Sequence, residues 1–220
     1  MNKTAIILGA TGLTGNLLLQ KLINDDNYTS IKLFSRKKIE GLPLKVEQFI
    51  GNIIDLESFK SDFTADEVFC CIGTTLKKTP NKEVYRSIDY GIPTKAAKLS
   101  KENNIETFMV ISALGASSKS ALFYNKLKGE MEDSVLSFGI KNTYILQPSY
   151  IQGDRTENRP LERLYDVIFP IVNIFLIGNL KKYKIIKATT IADAMQNLAS
   201  IKPTIKRIES DQIKEYAIHK

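Results

Sequence analysis

The 220-residue chain holds a single histidine, His219, and two cysteines, Cys70 and Cys71, which are adjacent. One histidine without nearby cysteines leaves no ligand set for a structural or catalytic metal. Neighbours in a strand point to opposite faces, so the two cysteines of "EVFCCIG" do not bridge each other, and there is no third. They read as small buried hydrophobes in a reducing compartment. A long apolar run is missing as well. The nearest approach, "DVIFPIVNIFLIGNL" at 166–180, is too short to span a bilayer and contains Pro170 and Asn173. It is expected to be a buried or interface helix, with a peripheral membrane or protein contact through 164–180 as its other use. The N-terminus "MNKTAIILGATGL" carries one lysine and no small-x-small cleavage site, so no secretory signal is read there and a cytoplasmic protein is expected. Repeats, low-complexity tracts and Pro/Gly/Ser linkers are lacking too, which predicts one domain over 1–220: a core at 1–148 and a substrate-side elaboration at 149–220.

Acidic residues are in deficit, 24 against 31 lysines and arginines, a formal charge of +7. The lysines are scattered, and no nucleic-acid motif accompanies them. The excess therefore fits solubility and an anionic cofactor, and nucleic acid is not an expected partner.

What is present is a cadence. "TAIILG" (4–9), "SIKLFSR" (30–36), "KVEQFI" (45–50), "DEVFCCIG" (66–73), "ETFMVIS" (106–112) and "NTYILQP" (142–148) are strand-like runs. Helical patterns fall at 13–23, 56–63, 81–104 and 120–138. Strand and helix in alternation predict an α/β, doubly wound Rossmann fold with a mostly parallel sheet in the order 3-2-1-4-5-6, and room for a seventh strand.

Three glycines, Gly9, Gly12 and Gly15, sit between the first strand and the first helix in "ILGATGLTGNLLL". A tight turn, a pyrophosphate against the backbone and a helix packed close to the sheet each demand the loss of a side chain. The free N–H groups of the helix start suit the phosphates, so Gly9, Thr11, Gly12, Leu13, Thr14 and Gly15 are candidate dinucleotide contacts. Strand two ends in Ser35, Arg36 and Lys37 where an acid would favour NAD; positive charge there favours the 2′-phosphate of NADP. Asn52 and Ile53 after strand three are expected to frame the adenine. Ile72, Gly73, Thr74 and Thr75, which follow strand four, and Pro148 and Ile151, which follow strand six, are further candidate cofactor contacts.

Tyr124 and Lys128 stand one helical turn apart, and Ser112 ends strand five. Tyr-x-x-x-Lys is common in this chain, recurring at Tyr28/Lys32, Tyr183/Lys187 and Tyr216/Lys220, but only Tyr124/Lys128 follows a strand at the cofactor edge. A tyrosine of ordinary pKa, about 10, needs a nearby ammonium to shuttle protons at neutral pH. A serine hydroxyl would donate to the carbonyl oxygen that gains charge as hydride arrives.

On "LGATGLTG", "FSRKK", "CCIGTT", "YRSIDYGIPTKAAKLS", "ISALGASSKSALFYNKLKGEME", "LQPSYIQGDR" with "ENRP", and "TTIADAM", the chain resembles the atypical short-chain dehydrogenase/reductases, and within them the HTATIP2/TIP30-like NAD(P)-binding oxidoreductases. The resemblance implies Tyr124 as general acid/base, Lys128 holding the nicotinamide ribose and lowering the tyrosine pKa, and Ser112 orienting a small carbonyl or alcohol substrate. Asp89 stands where many relatives have asparagine, and Pro148-Ser149 replaces the usual Pro-Gly. Two alternatives stay open: a non-catalytic NADP(H)-sensing regulator with a protein partner, and a nucleotide-sugar epimerase. Monomer and homodimer are both compatible with the sequence.

Overall fold

The computed structural model describes residues 2–153 and 176–218; most of the apolar segment 164–180, and His219, lie outside them. Seven parallel strands form the main sheet. They are β1 (Lys3–Leu8), β2 (Tyr28–Ser35), β3 (Val46–Ile50), β4 (Glu67–Cys70), β5 (Thr107–Ile111), β6 (Asn142–Gln147) and β9 (Arg207–Glu209). Their order is β3-β2-β1-β4-β5-β6-β9, the expected order with the seventh strand added beyond β6. β7 (Ile151–Gln152) and β8 (Ile186–Lys187) form a separate parallel pair.

Strands that are buried on both faces need near-continuous apolar sequence, and β1 and β4–β6 carry it in the runs Ala5–Leu8, Val68–Cys70, Phe108–Ile111 and Tyr144–Leu146. One face packs on α1 (Leu13–Ile23), α5 (Ala188–Ile201) and α6 (Ser210–Ile218), through Leu18, Leu22, Ile191, Met195 and Ile213. The other packs on α3 (Ile92–Glu102) and α4 (Phe123–Ser137), through Ala96, Leu99, Met131 and Val135. Such a core follows from burial of apolar area alone, at about 25 cal/mol per Å².

The helix expected over 81–104 is not uniform. It runs as α2 (Lys82–Arg86), one π turn (Ser87–Gly91) and α3. Pro93 has no N–H to give the Asp89 carbonyl, and the Ile92 N–H reaches back five residues to the Ser87 oxygen. The widened turn carries Asp89 into the interior, where it is 1% exposed. Residues 53–59, in turn, form a 3-10 turn rather than a helix at 56–63.

Candidate functional site

Because all strands of the main sheet are parallel, their carboxyl ends share one edge, and a cleft of about 1510 Å³ opens there. Its floor is the turn after β1. Gly9 has φ +86, and a Cβ on it would lie 2.9 Å from the Cys71 carbonyl, while a Cβ on Gly15 would collide with the Gly9 carbonyl. The turn closes through the Gly12 N–H donating to the Gly9 oxygen at 2.9 Å. α1 then starts at Gly12 without a side-chain cap or an acid in its first turn, which leaves its N-terminal N–H groups for an anion. This bare, tightly packed turn fits the pyrophosphate of a dinucleotide.

Thr11, Gly12, Leu13, Thr14, Ile72, Gly73, Thr74, Thr75, Ser112, Tyr124, Lys128, Pro148 and Ile151 all line the cleft. Gly9 and Gly15 lie beneath it as packing glycines. Ser35, Arg36, Lys37, Asn52 and Ile53 do not line it. Ser35 is buried and donates to the Lys37 carbonyl at 2.7 Å, with Arg36 and Lys37 exposed at the end of β2. Asn52 accepts from the Ile54 N–H as the cap of the 3-10 turn, and Ile53 belongs to the core.

Tyr124 and Ser112 are brought together by the loop between β5 and α4. The Ser112 N–H donates to the Leu146 carbonyl at 2.7 Å and the Leu114 N–H to the Pro148 carbonyl at 2.9 Å, which ties the loop to β6. Asn125 ties it to α4, donating to the Gly115 carbonyl at 2.9 Å and accepting from the Ser117 N–H at 2.9 Å. Gly129 permits the contact, because a Cβ there would run into the backbone of Ser117 and Ser118. Tyr124 begins the stripe on α4 at 39% exposure; Lys128 and Glu132 follow at intervals of four and are buried.

Lys128 Nζ lies 2.9 Å from Asp89 Oδ1, and Asp89 Oδ2 accepts the Thr74 N–H at 2.7 Å. Burial works against the ammonium, but the attraction of Asp89 outweighs it and holds the Lys128 pKa above the ordinary lysine value. Thr74 is fixed further by Thr79 Oγ1 at 2.9 Å and by Tyr85 Oη donating to its carbonyl at 3.3 Å. Burial raises the Cys70 thiol to about 12 and also raises that of Cys71. Cys71 makes a 3.9 Å sulfur contact with Met195.

Ser112 Oγ donates to Glu132 Oε1 at 2.5 Å, so its one hydrogen points into the protein. Gln147 Nε2 donates to both Glu132 oxygens at 2.9 and 3.0 Å, and Arg207 Nε to Oε2 at 2.8 Å. Glu132, Gln147 and Arg207 gather around Ser112 without having been expected there, and Asp89, noted above as a departure, pairs with Lys128. The recurrence Tyr124, Lys128, Glu132 was the available signal for Glu132. Ser149, in place of the usual glycine, donates to the Lys184 carbonyl at 2.5 Å and accepts from Ser210 Oγ at 3.0 Å, so it braces the cleft wall against the end of the 3-10 turn before β8 and the start of α6.

The other Tyr-x-x-x-Lys pairs separate clearly. Tyr28 sits at the opposite edge of the sheet, donating to Glu67 Oε2 at 2.6 Å, and burial followed by Glu67 pushes its pKa far up. Tyr183 and Lys187 both line the cleft, but one ends a 3-10 turn and the other lies in β8, so they share no helix face. Lys220 is outside the described residues.

No protein-family model matches the chain. Among curated proteins it is similar to FMP52 of Candida albicans, named mitochondrial, at 32% identity over 163 residues covering 72% of this chain and 71% of that one. It is also similar to protein HTATIP2 of Rattus norvegicus, at 30% identity over 167 residues covering 74% and 69%. Among solved structures, the UDP-glucose 4-epimerase of Thermotoga maritima superposes with TM-score 0.70 at 14% identity, covering 96% of this chain and 80% of that one. A Rossmann-fold NAD(P)-binding family protein from Shigella flexneri gives TM-score 0.61 at 14% identity, covering 91% and 87%. At such identities these two establish the fold. The cytoplasmic expectation is overturned by the FMP52 relatives, which are named mitochondrial. Location is set by receptor-read addresses, which the composition of a folded core does not encode. Among the described residues no helix is long and apolar enough to cross a membrane.

Proposed function

Since the chain belongs to the atypical short-chain dehydrogenase/reductases, in their HTATIP2-like branch, we propose that it is an oxidoreductase that binds NADP(H) and acts on a small carbonyl or alcohol. The observation that carries this reading is the shared cleft of Gly12, Ser112, Tyr124 and Lys128 at the carboxyl edge of the sheet. Residues 1–148 hold the cofactor, and 149–220 complete the same unit on the substrate side. The Gly9–Gly15 turn and the start of α1 bind the pyrophosphate; Arg36 and Lys37 meet the 2′-phosphate. When bound, a reduced nicotinamide supplies the hydride. Tyr124 gives the proton to the substrate oxygen, and it takes the proton back in the reverse direction. Lys128 steadies the phenolate form of Tyr124 and has donors left for ribose hydroxyls.

The test is Tyr124→Phe. Turnover of carbonyl substrates with NADPH should fall by about 10²–10⁴ while NADPH titration by fluorescence stays close to wild type. Full activity in that variant overturns the reading. A second reading, a non-catalytic NADP(H) sensor, is favoured by the Ser112 hydrogen being turned toward Glu132. It expects cofactor binding with no turnover of any carbonyl and a partner affinity that differs between NADP⁺ and NADPH.

A further inference from the structure

Ser112 lines the cleft, yet its hydroxyl hydrogen lies on Glu132 Oε1, 2.5 Å away. Two fixed donors settle the direction of that bond. Arg207 Nε, at 2.8 Å, has only a hydrogen to offer, and Gln147 Nε2 reaches both carboxyl oxygens at 2.9 and 3.0 Å. With Arg207 as its counter-charge, Glu132 is a carboxylate and accepts from all three partners. Ser112 therefore shows only lone pairs to the cleft. A carbonyl oxygen brought against it would set lone pair against lone pair, and the mismatch would grow as hydride transfer puts charge on that oxygen. Swinging the serine hydrogen into the cleft would leave a buried carboxylate one donor short.

The group that matches Ser112 is a hydrogen-bond donor on the substrate. Resting on the oxidoreductase reading, in which Tyr124 serves the reacting oxygen, we propose that the substrate carries a hydroxyl on the carbon next to the reacting carbon, an α-hydroxy carbonyl in one direction and a vicinal diol in the other. Ser112 accepts from that second hydroxyl. Glu132, which touches neither substrate nor cofactor, is the positioning residue that fixes the polarity of Ser112. The redox balance is the ordinary one. The carbonyl carbon gains a hydride from the reduced nicotinamide, its oxygen gains the Tyr124 proton, and the adjacent hydroxyl is unchanged.

The test compares 2-hydroxyacetophenone with acetophenone, which differ by that hydroxyl alone. Their binding is measured by calorimetry to full-length protein saturated with NADP⁺, a combination in which neither ketone can be reduced. The wild-type protein should bind 2-hydroxyacetophenone about tenfold more tightly or better. Ser112→Ala should bring the ratio close to one with acetophenone affinity retained. Glu132→Gln, whose amide can donate to Ser112 and turn its hydrogen outward, should cancel or invert the preference. Circular dichroism and NADP⁺ affinity check that both variants fold. Equal affinities in the wild type, no measurable binding of either ketone, or a preference that survives Ser112→Ala would overturn the proposal. Turnover of the same ketones with NADPH is read separately. A binding preference without turnover would remove the oxidoreductase reading and leave the polarity of Ser112 established.

Discussion

Lys128 and Asp89 meet at 2.9 Å with their side chains 4% and 1% exposed, so the ammonium one helical turn after Tyr124 has a full counter-charge. An asparagine at position 89 would leave that ammonium buried without one. Asp89 therefore makes burial of the lysine tolerable.

Asp89→Asn should cost about 3 kcal/mol, the scale for breaking a buried pair, and should change the pH dependence of stability. In the wild type the raised Lys128 pKa gives stability that is complete below the unfolded lysine value, about 10.4. That stability is lost as pH rises through the folded value. In the variant, with the Asp89 attraction gone, burial is the largest influence left on Lys128, the sign reverses, and stability climbs with pH as the buried ammonium releases its proton. Urea unfolding at pH 7, 9 and 10.5 measures the slope; identical slopes in the two proteins would refute the account.

Gly15→Ala and Gly129→Ala crowd two different joints. The first pushes α1 away from the Gly9 carbonyl and should weaken NADPH binding at least tenfold. The second parts the Ser112–Ser120 loop from α4 and should reduce turnover while NADPH affinity changes little. Each adds a methyl where the backbone is already in contact, so a loss of about 1–3 kcal/mol by thermal unfolding accompanies both. Interchanged effects on binding and turnover would contradict these assignments.

Arg36→Glu should weaken NADPH by about 1.4 kcal/mol or more, a factor of ten, and leave NADH affinity equal or improved. Nucleotide fluorescence titrations read both constants, and an NADPH affinity equal to wild type would show that the 2′-phosphate is held elsewhere.

Cys70, with its thiol at about 12, should resist alkylation at pH 8 in the folded protein and react once urea unfolds it. Mass spectrometry after a timed iodoacetamide pulse distinguishes the two states. Rapid labelling of folded protein at Cys70 would show that the strand is not closed.

The sheet was legible because β1, β4, β5 and β6 each carry a run of buried apolar residues, and the glycine turn because each missing side chain has a separate steric cause. The π turn at 87–91 was hidden, since Pro93 is a lone interruption at the middle of a pattern otherwise regular enough for one helix. Glu132 was hidden for a related reason. An acid on a helix that carries several charges reads as solvent-facing, and only the packing of α4 on the sheet shows that Ser112, Gln147 and Arg207 meet there. β9 escaped because Arg207, Ile208 and Glu209 hold one apolar residue between two charges, too short a run to announce a strand. The direction of the Ser112 hydrogen could not be read at all, because it depends on donors from two separate strands, Gln147 in β6 and Arg207 in β9.

The partner that balances Glu132 is 75 residues further along the chain. During synthesis the glycine turn, Tyr124 and Lys128 leave the ribosome well before Arg207 does, and domains fold from the N-terminal side as the chain emerges. A nascent chain halted before β9 already has the pieces of a nucleotide pocket, but the carboxylate beneath Ser112 still lacks its cation. Cofactor capture can therefore precede completion of the substrate wall, and bound nucleotide would steady the unfinished sheet until its last strand arrives.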